Sequence, residues 1–301
     1  MKKMMNFKRM ILMAVCLLSM SLTYAQKPNV YMDYFWRPVK ADANIIELLR
    51  NNFMQGMQST NRIEITDVAS KDALQIEEAR RSDGTTTAGD DLDRMKVMTE
   101  EGANFLIQGR VAAIDWDIQK SSDGKTDYYT ATCTYTVKVI DPSNGKVVLS
   151  KNFEHGNGIM GSILEDSQEA AYAKLCGQAV KAGKQLVEEA FKVQGTILEV
   201  ASSKKDKATE VYISLGSDNG IAKGAYFDAC IERKVAGRVS QKVIGQLEVI
   251  NVEGGDLSLC KVKKGGEEIK VAMDGGQTLS IKSTTKPKSF LEKAAGAMDS
   301  L

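Results

Sequence analysis

The stretch Tyr129-Thr130-Ala131-Thr132-Cys133-Thr134-Tyr135-Thr136-Val137-Lys138-Val139 decides the first half of the fold. Ala131, Cys133, Tyr135, Val137 and Val139 alternate with Thr130, Thr132, Thr134, Thr136 and Lys138. Successive side chains of a strand point to opposite faces, so the pattern predicts a strand with one buried and one solvated face. Asp141-Pro142-Ser143-Asn144-Gly145 follows with strong turn chemistry, and Val147 to Phe153 returns as its partner. On the N-terminal side, Phe105, Leu106 and Ile107 form an apolar run, after which Ile114, Trp116 and Ile118 alternate with Asp115 and Asp117. Three long neighbouring strands in a meander are expected.

Working outward, Val30 to Trp36 reads as a first strand closed by Pro38. Ile45, Leu48, Leu49, Phe53 and Met57 recur at helical spacing within Asn44 to Met57. Arg62 to Val68 alternates as a strand, and Lys71 to Arg80 reads as a short helix. The Gly- and Thr-rich stretch Ser82 to Gly89 reads as a mobile loop. Asp90 or Asp91 suits the cap of a further helix that stops at Gly102. Beyond the meander, Ile163 to Phe191 reads as one long amphipathic helix whose alanines let it lie close to the sheet. Residues 26–192 are therefore expected to form an α+β domain.

After Gln194-Gly195 the texture changes to short strands with frequent glycine turns. Strands are expected at Ile197 to Val200, Val211 to Leu215, Tyr226 to Glu232, Lys242 to Val252, Leu257 to Val262 and Thr278 to Ile281. Such a series predicts a small all-β barrel or sandwich over residues 193–283. Residues 284–301 read as a flexible polar tail ending in a short helix, with Phe290, Leu291, Ala294, Ala295, Met298 and Leu301 at three- and four-residue steps. Docking on the chain's own β domain, or fraying, is the first reading of that stripe, and the sharper one is a partner contact through Phe290, Leu291, Ala294 and Met298.

The first residues set the compartment. Lys2, Lys3, Lys8 and Arg9 precede an apolar run from Met10 to Leu22, and Ala25 offers a small residue for cleavage. This is the pattern of a secretory signal peptide over 1–25, with the mature chain beginning at Gln26. The apolar run is shorter than the ~20 residues of a membrane-spanning helix. Cys16 follows Val15 where a lipidation site would want a small residue, so lipidation is not expected. The chain has 40 Lys and Arg; without the four in the signal, 36 face 39 Asp and Glu, a net of −3. That balance gives no basic footprint for nucleic acid.

Cys133, Cys176, Cys230 and Cys260 show no C-x-x-C spacing, so a zinc or redox site is not expected. Buried free thiols are the default reading, and Cys230 with Cys260 is the pair to form if any does, since both fall in the late β segment. His155 is the only histidine and stands at a strand end. Asp115 and Asp117 share one face about 7 Å apart by strand geometry, which fits a solvated face better than an acid pair. Lys223-Gly224 lacks the order of a phosphate loop. Trp36 and Trp116, on alternating apolar faces, are expected in the core. No catalytic, cofactor or metal residue is expected, and hence no enzyme.

The stretch Glu101-Gly102-Ala103-Asn104-Phe105-Leu106-Ile107-Gln108-Gly109-Arg110-Val111, with the opening strand and helix through Met57 and the strand Arg62-Ile63-Glu64-Ile65, resembles the CsgG-like superfamily of bacterial envelope proteins. That superfamily includes the curli secretion component and, more distantly, activators of penicillin-binding proteins. The resemblance covers roughly Asn29 to Lys192 and implies a TolB-N/CsgG-like first domain. Val211-Tyr212-Ile213-Ser214-Leu215-Gly216 and Asp218-Asn219-Gly220-Ile221-Ala222-Lys223-Gly224 are similar to the C-terminal β domain of a flagellar assembly factor. Thr66-Asp67 departs from the family, which has a basic residue there, and no lipidation cysteine supports membrane insertion. What the resemblance implies is a non-enzymatic accessory or assembly protein of the periplasm, peripherally outer-membrane-associated or secreted, that contacts envelope proteins or further copies of itself. The alternative is a binding module for glycan or peptidoglycan that uses the β domain.

Overall fold

The computed structural model describes residues 27–38, 40–67, 95–96, 98–100, 102–120, 124, 127–156 and 164–284. The signal peptide expected over 1–25, the helix expected at 71–80, the loop expected at 82–89 and the tail stripe with Phe290, Leu291, Ala294 and Met298 lie outside the described residues.

The fold is mixed α+β with two sheets. The first is built from β1 (Asn29–Trp36), β2 (Glu64–Asp67), β3 (Phe105–Lys120), β4 (Asp127–Asp141) and β5 (Lys146–His155), in the order β2-β1-β3-β4-β5. β1 runs parallel to β2 and to β3, whereas β3, β4 and β5 form the expected antiparallel meander. On β4, Ala131, Cys133, Tyr135, Val137 and Val139 are all buried, as the alternation requires. The Asp141–Gly145 turn is held by its own chemistry. The Asp141 carboxylate accepts from the Ser143 and Asn144 side chains, and Gly145 takes φ +70°. Those hydrogen bonds also hold the Asp141 carboxyl below its usual range, the Ser143 hydroxyl contributing most.

One face of this sheet is covered by α1 (Ala43–Gln58), α2 (Gln168–Gly177) and α3 (Ala179–Ala190). The single long helix expected over 163–191 is in fact two. The amide of Gln178 donates to Leu175 O rather than continuing the four-residue ladder, which separates α2 from α3. The break lets α3 cross α1 at backbone contact. A Cβ on Gly183 would stand 2.0 Å from Phe53 O, and one on Gly56 would stand 1.9 Å from Val180 O. Phe35, Phe53, Tyr135 and Phe153 interlock beneath these helices, with ring centroids 5.3–6.1 Å apart. The opposite face carries a smaller cluster at one end, with Tyr31, Met98, Leu106 and Ile140.

Arg50 of α1 is fully buried in this unit. It donates to Asp33 O at 2.9 Å and Met32 O at 3.0 Å, and it pairs with the carboxylates of Glu47 and Asp67. Asp67 thus has a structural partner here. A buried guanidinium needs this many acceptors, because each unmet donor would carry its full desolvation cost.

The second sheet is a closed barrel. β6 (Gln194–Lys204), β7 (Lys207–Ile213), β8 (Tyr226–Val235), β9 (Arg238–Val252), β10 (Ser258–Lys264) and β11 (Ser280–Thr284) close in the order β10-β7-β6-β11-β8-β9. Closure satisfies the strand edges that an open small sheet would leave unpaired. Phe227, Ala229, Leu247, Val249, Cys260 and Ile281 fill the interior. A helix absent from the sequence reading, α4 (Gly266–Asp274), adds Ile269 and Ala272 to the same cluster. It starts after Gly265 at φ +74°, and it is too short for its apolar spacing to have separated it from a turn.

Cys230 and Cys260 are free, which corrects the pairing considered from sequence. They sit on β8 and β10, with β9 between them. Strands two apart are separated by about 9–10 Å, beyond the ~7 Å Cα limit of a disulfide. Cys133 and Cys176 are also free and buried. Burial pushes Cys133, Cys176 and Cys260 up to about 12, so these are inert thiols.

Candidate functional site

The site is a cleft of about 840 Å3 on the face of the first sheet that faces away from α1–α3. Strand registry builds it. Trp36 at the end of β1 lies opposite Arg110 on β3, Arg110 lies opposite Thr136 on β4, and Gln108 lies opposite Lys138. Because side chains alternate, Phe35 points into the core while Trp36 points outward. Gly109 is the residue that permits this geometry. A Cβ there would stand 2.2 Å from the Phe35 ring, so only glycine lets that ring close over β3. Arg37 and Pro38 complete the rim, and the Arg37 guanidinium donates to Ala41 O at 2.7 Å.

The lining therefore holds three cations, Arg37, Arg110 and Lys138, beside an indole, and among the described residues includes no carboxylate. Trp36 is 45% exposed, and Trp116 on the far stretch of β3 is 42% exposed against the ring of Tyr129. Both were expected in the core. Trp36 faces the open side of the sheet, and Trp116 lies against Tyr129 at the edge of the core. Guanidinium groups match carboxylates in shape and charge, and an exposed indole offers a flat apolar contact. Such a cleft can hold an acidic segment that carries an apolar or ring-shaped group. The alternation along β3 and β4 already put Arg110 and Lys138 on one face; their meeting with Trp36 needed the parallel β1–β3 register, which no local pattern announces.

The other sequence candidates are dispersed. His155 bonds the Tyr135 hydroxyl through Nε2 at 2.9 Å, and burial holds the imidazole below its usual value. Burial also pushes the Tyr135 phenol upward. Asp115 and Asp117 stand opposite Thr132 and Thr130 on the exposed stretch of the meander. Gly224 takes φ +86° and donates to Val249 O, which is turn geometry. Among the described residues no group of three or more His, Cys, Asp or Glu is placed to hold a metal ion. No helix among them is long and apolar enough to cross a membrane.

No family model matches the chain, and no curated protein matches it. Solved structures similar to it include a PelC dodecamer from Paraburkholderia phytofirmans, at 12% identity and a TM-score of 0.31, covering 52% of this chain and 87% of that one. Lipoprotein GNA1162 from Neisseria meningitidis is similar at 14% identity and a TM-score of 0.32, covering 54% and 99%. The LpoB C-terminal domain from Escherichia coli is similar at 11% identity and a TM-score of 0.27, covering 44% and 84%. These are bacterial proteins, one of them a lipoprotein by title, and no function or assembly passes from them to this chain at such scores.

Proposed function

We propose that the chain is a non-enzymatic accessory or assembly protein of the bacterial cell envelope, built on a CsgG-like first domain and acting through protein–protein contacts. The observation that carries this reading is the open cleft of Trp36, Arg37, Arg110 and Lys138, a surface suited to holding an acidic partner segment. The signal-peptide pattern of the first 25 residues supports work outside the cytoplasm, in the periplasm or at the outer membrane. His155, the one histidine, is engaged with a Tyr135 hydroxyl that burial keeps protonated, which favours a binding role over acid–base chemistry.

Site-specific crosslinking from Trp36 in intact cells tests the proposal. The expected result is one or a few captured envelope proteins, lost in the double variant Arg110→Glu, Lys138→Glu. Capture that is indifferent to charge reversal would refute the cleft as the contact. A second reading, binding of an acidic glycan such as peptidoglycan, is favoured by the indole standing beside the cations. Retention on purified sacculi that depends on Trp36 would select it.

A further inference from the structure

A second cleft, of about 450 Å3, lies where the first sheet unit meets the barrel, and Lys27, Arg62, Phe191, Lys192, Leu215 and Asp218 are among its lining residues. Both units wall it. The Asn61 side-chain amide donates to Ser217 O at 3.0 Å across the junction. Gly220, at φ +67°, brings the barrel against Thr60 O and the stem of Arg62; a Cβ there would stand 2.1 Å from that carbonyl.

Arg62 is the unusual member. Its Nε and Nη1 are buried and have no hydrogen-bond partner. Burial disfavours its charge, and Glu188 is near enough to offset part of that without bonding either nitrogen. In Arg50, by contrast, each of the three nitrogens meets a carbonyl or a carboxylate. A guanidinium stays protonated in a protein, so donors left open in an interior are an anomaly that a ligand would relieve. Lys27 and Lys192 add positive charge to the same lining. The carboxylate of Asp218 is drawn aside onto Gly255, where a Cβ would stand 2.2 Å from its Oδ2. Phe191 and Leu215 give the cleft an apolar wall, with Phe191 held edge-on against Phe105 at 5.1 Å.

We propose that this cleft is a carboxylate-binding site, independent of the sheet-face cleft, for a ligand whose carboxylate bonds Arg62 and whose apolar body lies along Phe191 and Leu215. Occupancy would tie the β2 approach, the α3–β6 connection and the barrel through one ion. Small organic acids and the free C-terminus of a peptide share this chemistry.

Calorimetric titration of the chain from Gln26 to Leu301 with 3-phenylpropanoate, and separately with the neutral 3-phenylpropanamide, tests it. The acid is expected to bind at least roughly tenfold tighter than the amide, a difference of about 1.4 kcal/mol. Arg62→Gln is expected to remove that preference, and Arg110→Gln to preserve it. Equal binding of acid and amide to the unaltered chain, or a preference that survives Arg62→Gln, would overturn the proposal. Because the sheet-face cleft also presents cations beside a ring, the comparison is repeated in the double variant Arg110→Gln, Lys138→Gln; an acid preference lost there would overturn the proposal even where Arg62→Gln fails to fold. A peptide ending in a free Phe carboxylate that binds tighter than 3-phenylpropanoate, and loses this on amidation, assigns the peptide source; equal affinities assign the small acid. Because Arg110 is the control, failure here leaves the sheet-face reading standing.

Discussion

The two sheets of this chain build their cores from different materials. Under the first sheet, Phe35, Phe53, Tyr135 and Phe153 span the layer between strands and helices, and a buried Arg50 ties α1 to the β1–β2 edge. Inside the barrel the cluster is nearly all aliphatic, with Phe227 its one buried ring. The geometry accounts for the difference. A sheet–helix layer is about 10 Å deep and takes large flat side chains, whereas a six-stranded barrel closes on itself and leaves room only for small and branched ones. The first core depends on one ionic network and one glycine-mediated helix crossing; the second depends on closure. Perturbations should therefore separate them.

The largest separation is expected from Arg50→Met. Removing a buried guanidinium from such a network costs about 3–5 kcal/mol, chiefly through the buried carbonyls of Met32 and Asp33 left unmet. We expect units 26–192 and 193–283 to unfold as separate cooperative steps, with only the first moved by the variant. Calorimetry of the full chain beside the isolated 26–192 fragment measures both. One merged transition shifted as a whole would show a shared core and break the comparison.

Much of the difference was legible in the chain itself. The alternation through Tyr129–Val139 set the meander, and the glycine-punctuated strands after Gln194 set a barrel or sandwich. Local pattern could not decide between those two, because closure depends on β7 pairing with β10 and β6 with β11, contacts between distant residues. Arg50 was hidden in plain view among Ile46, Leu49 and Phe53: an arginine on an apolar helical stripe is the signal of a buried network, yet its acceptors lie on β1 and β2. The sheet-face cleft was half visible, since alternation aligned Arg110 and Lys138 but only tertiary register added Trp36. The break at Gln178 was invisible to periodicity, because α2 and α3 keep nearly the same apolar spacing across it.

A smaller effect, again confined to the first unit, is expected at the α1–α3 crossing. Gly183→Ala drives a methyl toward Phe53 O at 2.0 Å, and the offending atom is backbone, so the helices must part. Overpacking of this kind costs about 1–3 kcal/mol. Urea titration of the same variant should lower the midpoint of the first step alone. An unchanged midpoint would mean that the crossing is looser than its geometry.

The response to acid should also belong to the first unit. Burial depresses His155, so below the ordinary value of 6.5 the unfolded chain takes a proton that the folded chain refuses. Its contribution to stability is present above that value and is lost as pH falls toward the lower folded one. Urea midpoints between about pH 8 and about pH 5 should decline in the first step, and His155→Gln should flatten the decline. A slope that the substitution leaves unchanged would assign the acid sensitivity to carboxylates instead.

The smallest expected effect sharpens what holds α4 to the barrel. Lys270 and Asp274 pair one turn apart on α4, with Nζ within 2.9 and 3.1 Å of the two carboxylate oxygens. Such a pair looks like an anchor for a short helix, but it connects α4 only to itself, and Asp274 is largely exposed. Exposed pairs of this spacing are worth about 0.3–0.5 kcal/mol. Attachment is instead apolar, since Ile269 is fully buried and its Cδ1 would lie 2.6 Å from a Cβ on Gly245. Lys270→Ala should therefore shift the barrel step by no more than that small amount, and the shift should vanish in high salt. Ile269→Ala, measured beside it, should cost about 2–5 kcal/mol in the same step. If the lysine variant proved the costlier of the two, α4 would be held by charge, and the contrast between an ion-tied first core and an apolar barrel would fail.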